Sequence, residues 1–412
     1  MNVAAVIARR IAFNSQKSFS RFIIRLAVAA TTLSVAAMII TLAFVNGFQQ
    51  TVSQKVFSFW GHLRIQRYEP NKALVAEETP LDKDQQVVER LRKIDNIKTI
   101  QSFATKSAVL QSGANIEGIL FKGVEKEYDF EQLQKFLKNG RWLRFKDTLY
   151  SKEIVLSEPV AQQMQIKVND TIKIYFIDAA GGKSNFRRLT VVGIYKTGIE
   201  EYDKLFAIGD LRLINRLNNW SPNQIGGYEI FLNDYKMMDS VNEKIYYTAI
   251  LPDKWISRTV REVYPNIFDW LNIQDVNRDV IFIVMSIIAM INLVTCLLIL
   301  VLERTRMVGI LKAIGSSNWT IQKVFLYHAS YITLIGVGSG LLIGVGLCLL
   351  QQQTGIIKLD ETAYYVSEAP VFIIWWQVLA ICLATIIVCF LSLIIPTLIV
   401  RSIQPVKAIQ FR

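Results

Sequence analysis

The sequence predicts a membrane protein of mixed class: four transmembrane helices, with one large extracytoplasmic α+β domain inserted between the first and the second. Long uncharged stretches, a basic excess confined to three short segments, and a cysteine-free insertion carry that prediction. Across 412 residues the hydrophobic fraction is 52% and the charged fraction 19%. The first figure excludes a disordered chain, and four cysteines exclude a small disulfide scaffold.

Segments 26–45 and 280–302 carry no charge, and neither do the longer runs 324–357 and 371–400. A crossing takes about 20 apolar residues, which each supplies. Four buried helices of a soluble protein would not need such length. The formal net charge is +12, and its location gives it meaning. Residues 1–25 hold Arg9, Arg10, Lys17, Arg21 and Arg25 without an acid; 303–323 hold Arg304, Arg306, Lys312 and Lys323 against Glu303; 401–412 hold Arg401, Lys407 and Arg412. Nearly the whole excess lies there. Four crossings put these segments on one side, and the positive-inside rule makes that side cytoplasmic. The charge is therefore a topology signal, and nucleic-acid binding is set aside. The expected order is a cytoplasmic N-terminus (1–25), a first span (26–47), a periplasmic domain (48–278), a second span (279–302), a cytoplasmic loop (303–323), a third span (324–352), a short periplasmic loop (353–370), a fourth span (371–400) and a cytoplasmic tail (401–412). The first span reads as a retained anchor, because no small-residue cleavage site closes its apolar run.

Cys296, Cys348, Cys382 and Cys389 all fall in the spans, so the outer domain needs no disulfide and offers no thiolate metal site. Histidine occurs only at His62 and His328, which leaves little for His-based catalysis. His328 is open to two readings, a proton-responsive group or a bonded structural residue. No nucleophile–base or metal constellation is visible, so the chain reads as no enzyme and as holding no cofactor of its own.

Within 48–278, strands are expected at 62–68, 97–110, 116–124, 153–157, 171–177, 187–195 and 228–232. Helices are expected after Thr79-Pro80, with Thr79 as N-cap and Val87, Val88, Leu91 and Ile94 at helical spacing, and at 131–138, 158–165, 211–217 and 235–249. Segment 256–277 returns the chain to the membrane. The insertion has room for one core or two lobes. The connection 178–186 is polar and contains glycine, and should project from a hairpin. Its Gly182-Lys183-Ser184 mimics the end of a phosphate-binding loop, but Ile177 stands where that motif requires its first glycine. If ATP drives this protein, another chain binds it.

The loop 303–315, ERTRMVGILKAIG, is amphipathic. Met307, Ile310, Leu311 and Ile314 fall at i, i+3, i+4 and i+7, which gives one apolar stripe. Arg304, Arg306 and Lys312 add basic heads. Gly315 suits a helix C-cap, and the residues at 316–318 offer an N-cap for the next helix. A helix lying on anionic lipid and a helix fitting a groove on a cytoplasmic partner both satisfy this pattern. Ala29, Ala30, Ala36 and Ala37 form a small-residue face on span 1; Gly336, Gly340 and Gly344, at spacing four, mark a close helix contact in span 3. Trp375 and Trp376 suit an interfacial anchor.

With IARR at 7–10, VNGF at 45–48, MVGILKAIG at 307–315, YYVS at 364–367 followed by Pro370-Val371, Ile395-Pro396, and IQPVKAIQF at 403–411, the chain resembles the FtsX-like ABC-transporter permeases, and among them the lipoprotein-releasing LolC/LolE branch. The resemblance runs nearly end to end. It implies a second permease, identical or paralogous, and a LolD-like ATPase dimer that holds ATP and Mg. It makes Glu303, Arg304, Met307, Ile310, Leu311, Lys312 and Gly315 the coupling surface for that ATPase. It implies lipoprotein cargo and a LolA-like periplasmic chaperone as acceptor. The 178–186 connection, with Asp178, Gly181, Gly182, Lys183, Asn185 and Phe186, stands where such permeases carry a chaperone-recruiting hook; LolC-like, LolE-like and combined roles stay open. Spans 1 and 2 flank the outer domain, so Val45, Asn46, Gly47, Phe48, Phe282 and Met285 are candidates for a cargo-cavity wall. A related permease for another cargo, or a regulator of a cell-wall hydrolase, is the alternative.

Overall fold

A computed structural model describes residues 19–70, 76–113, 115–146, 149–177 and 185–392. These pack as two units. A helical unit takes in the described residues up to Gln50, Trp270–Leu359 and those from Glu368 on; a sheet unit takes in Thr51–Asp269 and Asp360–Ser367.

Helix α1 (Phe19–Trp60) is far longer than the uncharged stretch that foretold it. Gly61, at φ +71°, ends it and turns the chain into β1 (Leu63–Arg67). After the short β2 (Leu81–Asp82), Asp84 rather than Thr79 starts α2 (Gln85–Arg92): its carboxylate accepts the backbone N–H groups of Gln86 and Val87. The sequence expectation failed there because Leu81 is claimed by pairing with Ile225 of β10 (Gln224–Ile225). The long hairpin β3 (Ile97–Ser112) and β4 (Asn115–Val124) matches expectation. The helix expected over 131–138 stops after a single turn, Glu131–Gln134. Leu137–Gly140 is instead strand β5, paired with β8 (Asn185–Tyr195). Strand β6 (Glu153–Ser157) runs into α3 (Glu158–Gln163), capped by the Ser157 hydroxyl, and β7 (Thr171–Phe176) precedes β8.

Strand β9 (Phe206–Asp210) is wholly buried and escaped the sequence reading, because a strand covered on both faces does not alternate. Its Gly209 is obligatory: a Cβ there would sit 2.0 Å from the Phe121 ring. Asp210 caps α4 (Leu211–Asn218), after which come β11 (Gly227–Leu232), a 3₁₀ turn at Tyr235–Met237, α5 (Met238–Tyr247) and β12 (Trp255–Thr259). Thus part of the expected return path to the membrane is a strand.

Among the described residues ten strands share one sheet, ordered β12-β1-β11-β3-β4-β9-β6-β8-β5, with β7 joining β3 to β8. Strands β3, β4, β9, β6, β8 and β7 thereby close a ring. The length of β3 makes this possible, since its first half pairs with β11 (Ile100 opposite Ile230) and its second with β7 (Leu110 opposite Ile174). One strand thus serves both parts of the unit.

The end of α1 enters this core. Phe59 lies 5.1 Å from both Tyr202 and Phe206, and Trp60 is edge-on to Tyr264 at 5.1 Å; each such pair adds about 0.5–1.5 kcal/mol beyond burial. Beside them Glu229, wholly buried, pairs with Arg64 and Lys122; the Lys122 ammonium also donates to the Phe59 carbonyl at 2.6 Å, and Arg64 stacks 3.2 Å over Trp60.

His62 stacks on Phe57 at 4.2 Å, and its Nδ1 accepts the Leu232 N–H at 3.0 Å. Burial pulls its pKa down to about 4, with Asp234 opposing. The unfolded chain therefore takes up a proton near pH 6.5 that the folded chain refuses until about pH 4. Stability of the sheet unit should fall as pH drops through that window, by up to about 3 kcal/mol. Proteolytic susceptibility measured from pH 7 to 4 on the full chain checks this: His62→Gln should flatten the dependence, and an unchanged slope contradicts it.

After the single turn Val260–Val263, the chain forms α6 (Pro265–Glu303), α7 (Thr305–Ala313), α8 (Asn318–Thr354) and α9 (Trp375–Ser392). By length and composition α1, α6 and α8 can cross a membrane; α9 is apolar and shorter as far as the described residues go. The motifs at 7–10 and 395–411 lie outside those residues.

Gly336, Gly340 and Gly344 do mark a close contact; its other face is Thr31, Thr32, Val35, Ala36 and Ile39, so Ala36 of the alanine row takes part while Ala29 points outward. Thr32 and Ser339 share a hydroxyl hydrogen bond of 2.6 Å. A Cβ on Gly340 would lie 2.7 Å from Val35 Cβ and 2.8 Å from the Thr32 carbonyl, whereas Gly338 and Gly346 face open space. Gly340→Val should therefore destabilise the α1–α8 contact by about 1–3 kcal/mol, with Gly338→Val near neutral. Thermal aggregation onset in detergent separates the two, and equal effects would contradict this packing.

Candidate functional site

The break between α6 and α7 falls at Arg304, whose backbone leaves helical geometry, while the Thr305 hydroxyl donates to the Leu302 carbonyl at 2.7 Å. The far end of α7 is a Schellman stop. Gly315 sits at φ +91°, its N–H reaches Lys312 O at 3.0 Å, and the Ser316 N–H reaches Leu311 O at 3.0 Å. The Ser317 hydroxyl then caps α8 by accepting the Thr320 N–H at 3.2 Å. The capping reading of 315–318 thus finds its geometry.

The single apolar stripe of the sequence reading divides in the structure. Val308 is fully buried, and Met307 and Leu311 pack beside it against Leu297, Leu300, Val301, Ile321 and Phe325. These side chains help hold α7 on its own bundle, and Met307 and Leu311 stay half-buried. The free face carries Arg306, Ile310, Ala313 and Ile314, with Trp319 the second residue of α8; Ile310 is 46%, Ile314 75% and Trp319 57% exposed. Lys323 stands 5.4 Å over the Trp319 ring. Glu303 is exposed, and Arg304 and Lys312 are half-buried. Trp319 was missed because it lies beyond the periodic run; its position two residues past the Ser317 N-cap was the available signal.

The cavity candidates are packed in this conformation. Val45 and Phe48 are buried, and Phe48 meets Trp270 edge-on at 4.7 Å. Asn46 donates to the Gln377 side chain at 2.6 Å. Gly47 lies under Pro370, whose carbonyl oxygen would be 2.5 Å from a Cβ. Phe282 and Met285 lie against the cluster of Val35, Met38, Ile39, Leu42 and Val378. VNGF is therefore a packing motif here. On α6 the residues that face outward include Val280, Ile283, Val284, Ile287 and Ile291, each 45–60% exposed.

Of the hairpin connection, Asp178, Gly181, Gly182 and Lys183 lie outside the described residues. Asn185 and Phe186 already belong to β8, which starts two residues earlier than expected. Phe186 is half-exposed and meets Tyr175 at 6.0 Å. His328 is buried on α8 and neither ring nitrogen has a partner among the described residues. Trp375 and Trp376 open α9 with exposed indoles.

This pairing of a strand-rich insertion with apolar helices and a capped amphipathic loop is found in a known class. Residues 26–245 match the MacB-like periplasmic core domain, and residues 280–405 match the FtsX-like permease C-terminal region. The chain belongs to the MacB-like periplasmic core domain family, carrying an FtsX-like permease segment behind that domain. It is similar to the lipoprotein-releasing system transmembrane protein LolE of Haemophilus influenzae, at 24% identity over 99% of each chain. It is also similar to the lipoprotein-releasing system transmembrane protein LolC of Neisseria meningitidis serogroup B, at 23% identity over 96% of each chain. The solved periplasmic region of MacB from Actinobacillus actinomycetemcomitans is similar over 50% of this chain and 91% of that one, at 14% identity and a TM-score of 0.34.

Proposed function

We propose that this chain is the permease subunit of an ABC transporter that extracts lipoproteins from the bacterial inner membrane and releases them to a periplasmic chaperone of the LolA type. The observation that carries the proposal is the end-to-end similarity to lipoprotein-releasing permeases, combined with an amphipathic loop helix that keeps Ile310 and Ile314 free. ATP and Mg reside on a separate, LolD-like ATPase dimer. A second permease, identical or paralogous, completes the complex. On this reading both termini and the loop helix are cytoplasmic and the sheet unit periplasmic, which the distribution of basic residues supports.

The energetics set the mechanism. Each buried acyl CH₂ is worth about 0.8 kcal/mol, so several chains amount to tens of kcal/mol, and exposing them fully to water is not a viable step. The cargo must pass between apolar surfaces. The outward face of α6 offers one such surface, and parting of the contacts around Phe48 and Met285 offers another. Work done on the loop helix moves α6 and α8, which it joins. Hook recruitment of the chaperone by 178–186 belongs to the same proposal.

Vesicles holding this chain, its partner permease and ATPase, and a labelled lipoprotein test the reading. ATP should release cargo to a LolA-like acceptor, with none released without nucleotide. ATP hydrolysis without any cargo release would refute it.

A further inference from the structure

The segment joining α8 to α9 is divided between the two units. Its base belongs to the helical unit, where the Gln351 side chain donates to the Ile357 and Ala369 carbonyls at 3.2 Å and accepts the Ile357 N–H at 3.0 Å. Lys358 and Glu368 pair beside it as an isolated bridge. The intervening Asp360–Ser367 packs as part of the sheet unit.

Four contacts hold it there. Glu361 lies 2.8 Å from the Lys196 ammonium and 3.8 Å from that of Lys55. Lys55 donates to the Tyr365 carbonyl at 2.6 Å. The Tyr365 hydroxyl donates to Glu201 at 3.3 Å. Val366 is 3% exposed. Lys196 is further braced by Glu158 at 3.3 Å. Gly198 provides the space: a Cβ there would fall 2.4 Å from Glu361 Oε1 and 2.5 Å from Lys55 Nζ.

The docking is opposed from within. Tyr365 has φ +59°, a left-handed conformation that is costly for a residue other than glycine. The carboxylate and both ammonium groups keep some solvent contact, at 15–31% side-chain exposure, which limits what each pair contributes. One buried valine and a few screened ion pairs, set against backbone strain, leave a balance that a pull on the base can shift. The Gln351 clasp ties the base of the segment to the end of α8.

We propose that segment 360–367 is a releasable latch, held on the sheet unit by Glu361 between Lys55 and Lys196, and that its undocking is a step of the transport cycle. The proposal rests on the transporter reading for the word cycle and on geometry alone for the latch. Glu361, Lys196 and Gly198 act as positioning residues.

Membranes holding the intact complex with Val366→Cys supply the test. The native cysteines are buried, so a membrane-impermeant maleimide reports on position 366. Labelling should be slow in this parent and about tenfold faster with Glu361→Gln, Lys196→Met or Gly198→Ala. Lys196→Arg should stay near the parent rate. Chymotryptic cleavage at Tyr364 and Tyr365, with Val366 retained, should follow the same order, which guards against disturbance by the cysteine itself. Adding ATP to the parent complex should raise the labelling rate at least threefold. Equal rates in parent and Glu361→Gln overturn the latch, and a nucleotide-insensitive rate overturns its part in the cycle. Because labelling needs no cargo, a complex that responds to ATP at position 366 and releases no lipoprotein would sink the transport reading and leave the latch standing.

Discussion

Ile314→Glu should abolish ATP-dependent release and weaken ATPase binding by about 30-fold or more, the scale of an interface hot spot. Ile314 is 75% exposed, so the substitution leaves the bundle intact, and the docking proposed for this face would have to bury the added charge. Ile310→Glu should act in the same direction. Met307→Ala and Leu311→Ala are poorer probes: both side chains pack on the cluster around Val308, and their loss lowers stability whether or not an ATPase is present. Co-purification of the ATPase with each variant, alongside thermal stability in detergent, separates the two effects. If Ile314→Glu retains full ATPase binding, the docking face has been misplaced.

The second large effect is on the sheet unit. Glu229 is the carboxylate between Arg64 and Lys122, and all three are buried. Burial pulls the Lys122 pKa down to about 8, with Glu229 the leading opposing influence. Glu229→Ala leaves two cations in the core without that counter-charge, a loss of about 3–5 kcal/mol. The variant should fail to accumulate, or should be cut rapidly between its strands by added protease. Replacing all three together, as Arg64→Met, Lys122→Met and Glu229→Leu, should recover much of the stability, since a well-packed apolar replacement avoids the desolvation cost. A stable Glu229→Ala single variant would mean that the network is not the keystone its burial implies.

Much of this architecture was legible because it rests on local signals. Uncharged length marked α1, α6 and α8. The Gly315 stop and the Ser317 cap followed from residue type alone, and the β3–β4 hairpin from its turn. What the sequence hid depends on the tertiary partner. Strand β9 has no alternation because both its faces are covered. Leu137–Gly140 follows a helical turn and is captured by β8. The amphipathic loop reveals its period but not which apolar residues the bundle keeps: Met307 and Leu311 turn inward, Ile310 and Ile314 outward. The YYVS motif was visible as a string, yet its role needed Lys55, Lys196 and Gly198, which lie far away in the chain. The VNGF string flanks the outer domain in sequence, but the packing of Gly47 beneath Pro370 depends on a partner more than 300 residues away in the chain.

The account depends on work applied on one side of the membrane reaching cargo on the other. Side-selective labelling of single cysteines in sealed vesicles of known orientation measures this directly, with Ile314→Cys reporting on the loop helix and Tyr246→Cys on the sheet unit. Both positions are at least 75% exposed. An impermeant reagent should reach position 246 only from the periplasmic side and position 314 only from the cytoplasmic side. Reaction of both from the same side would contradict the account.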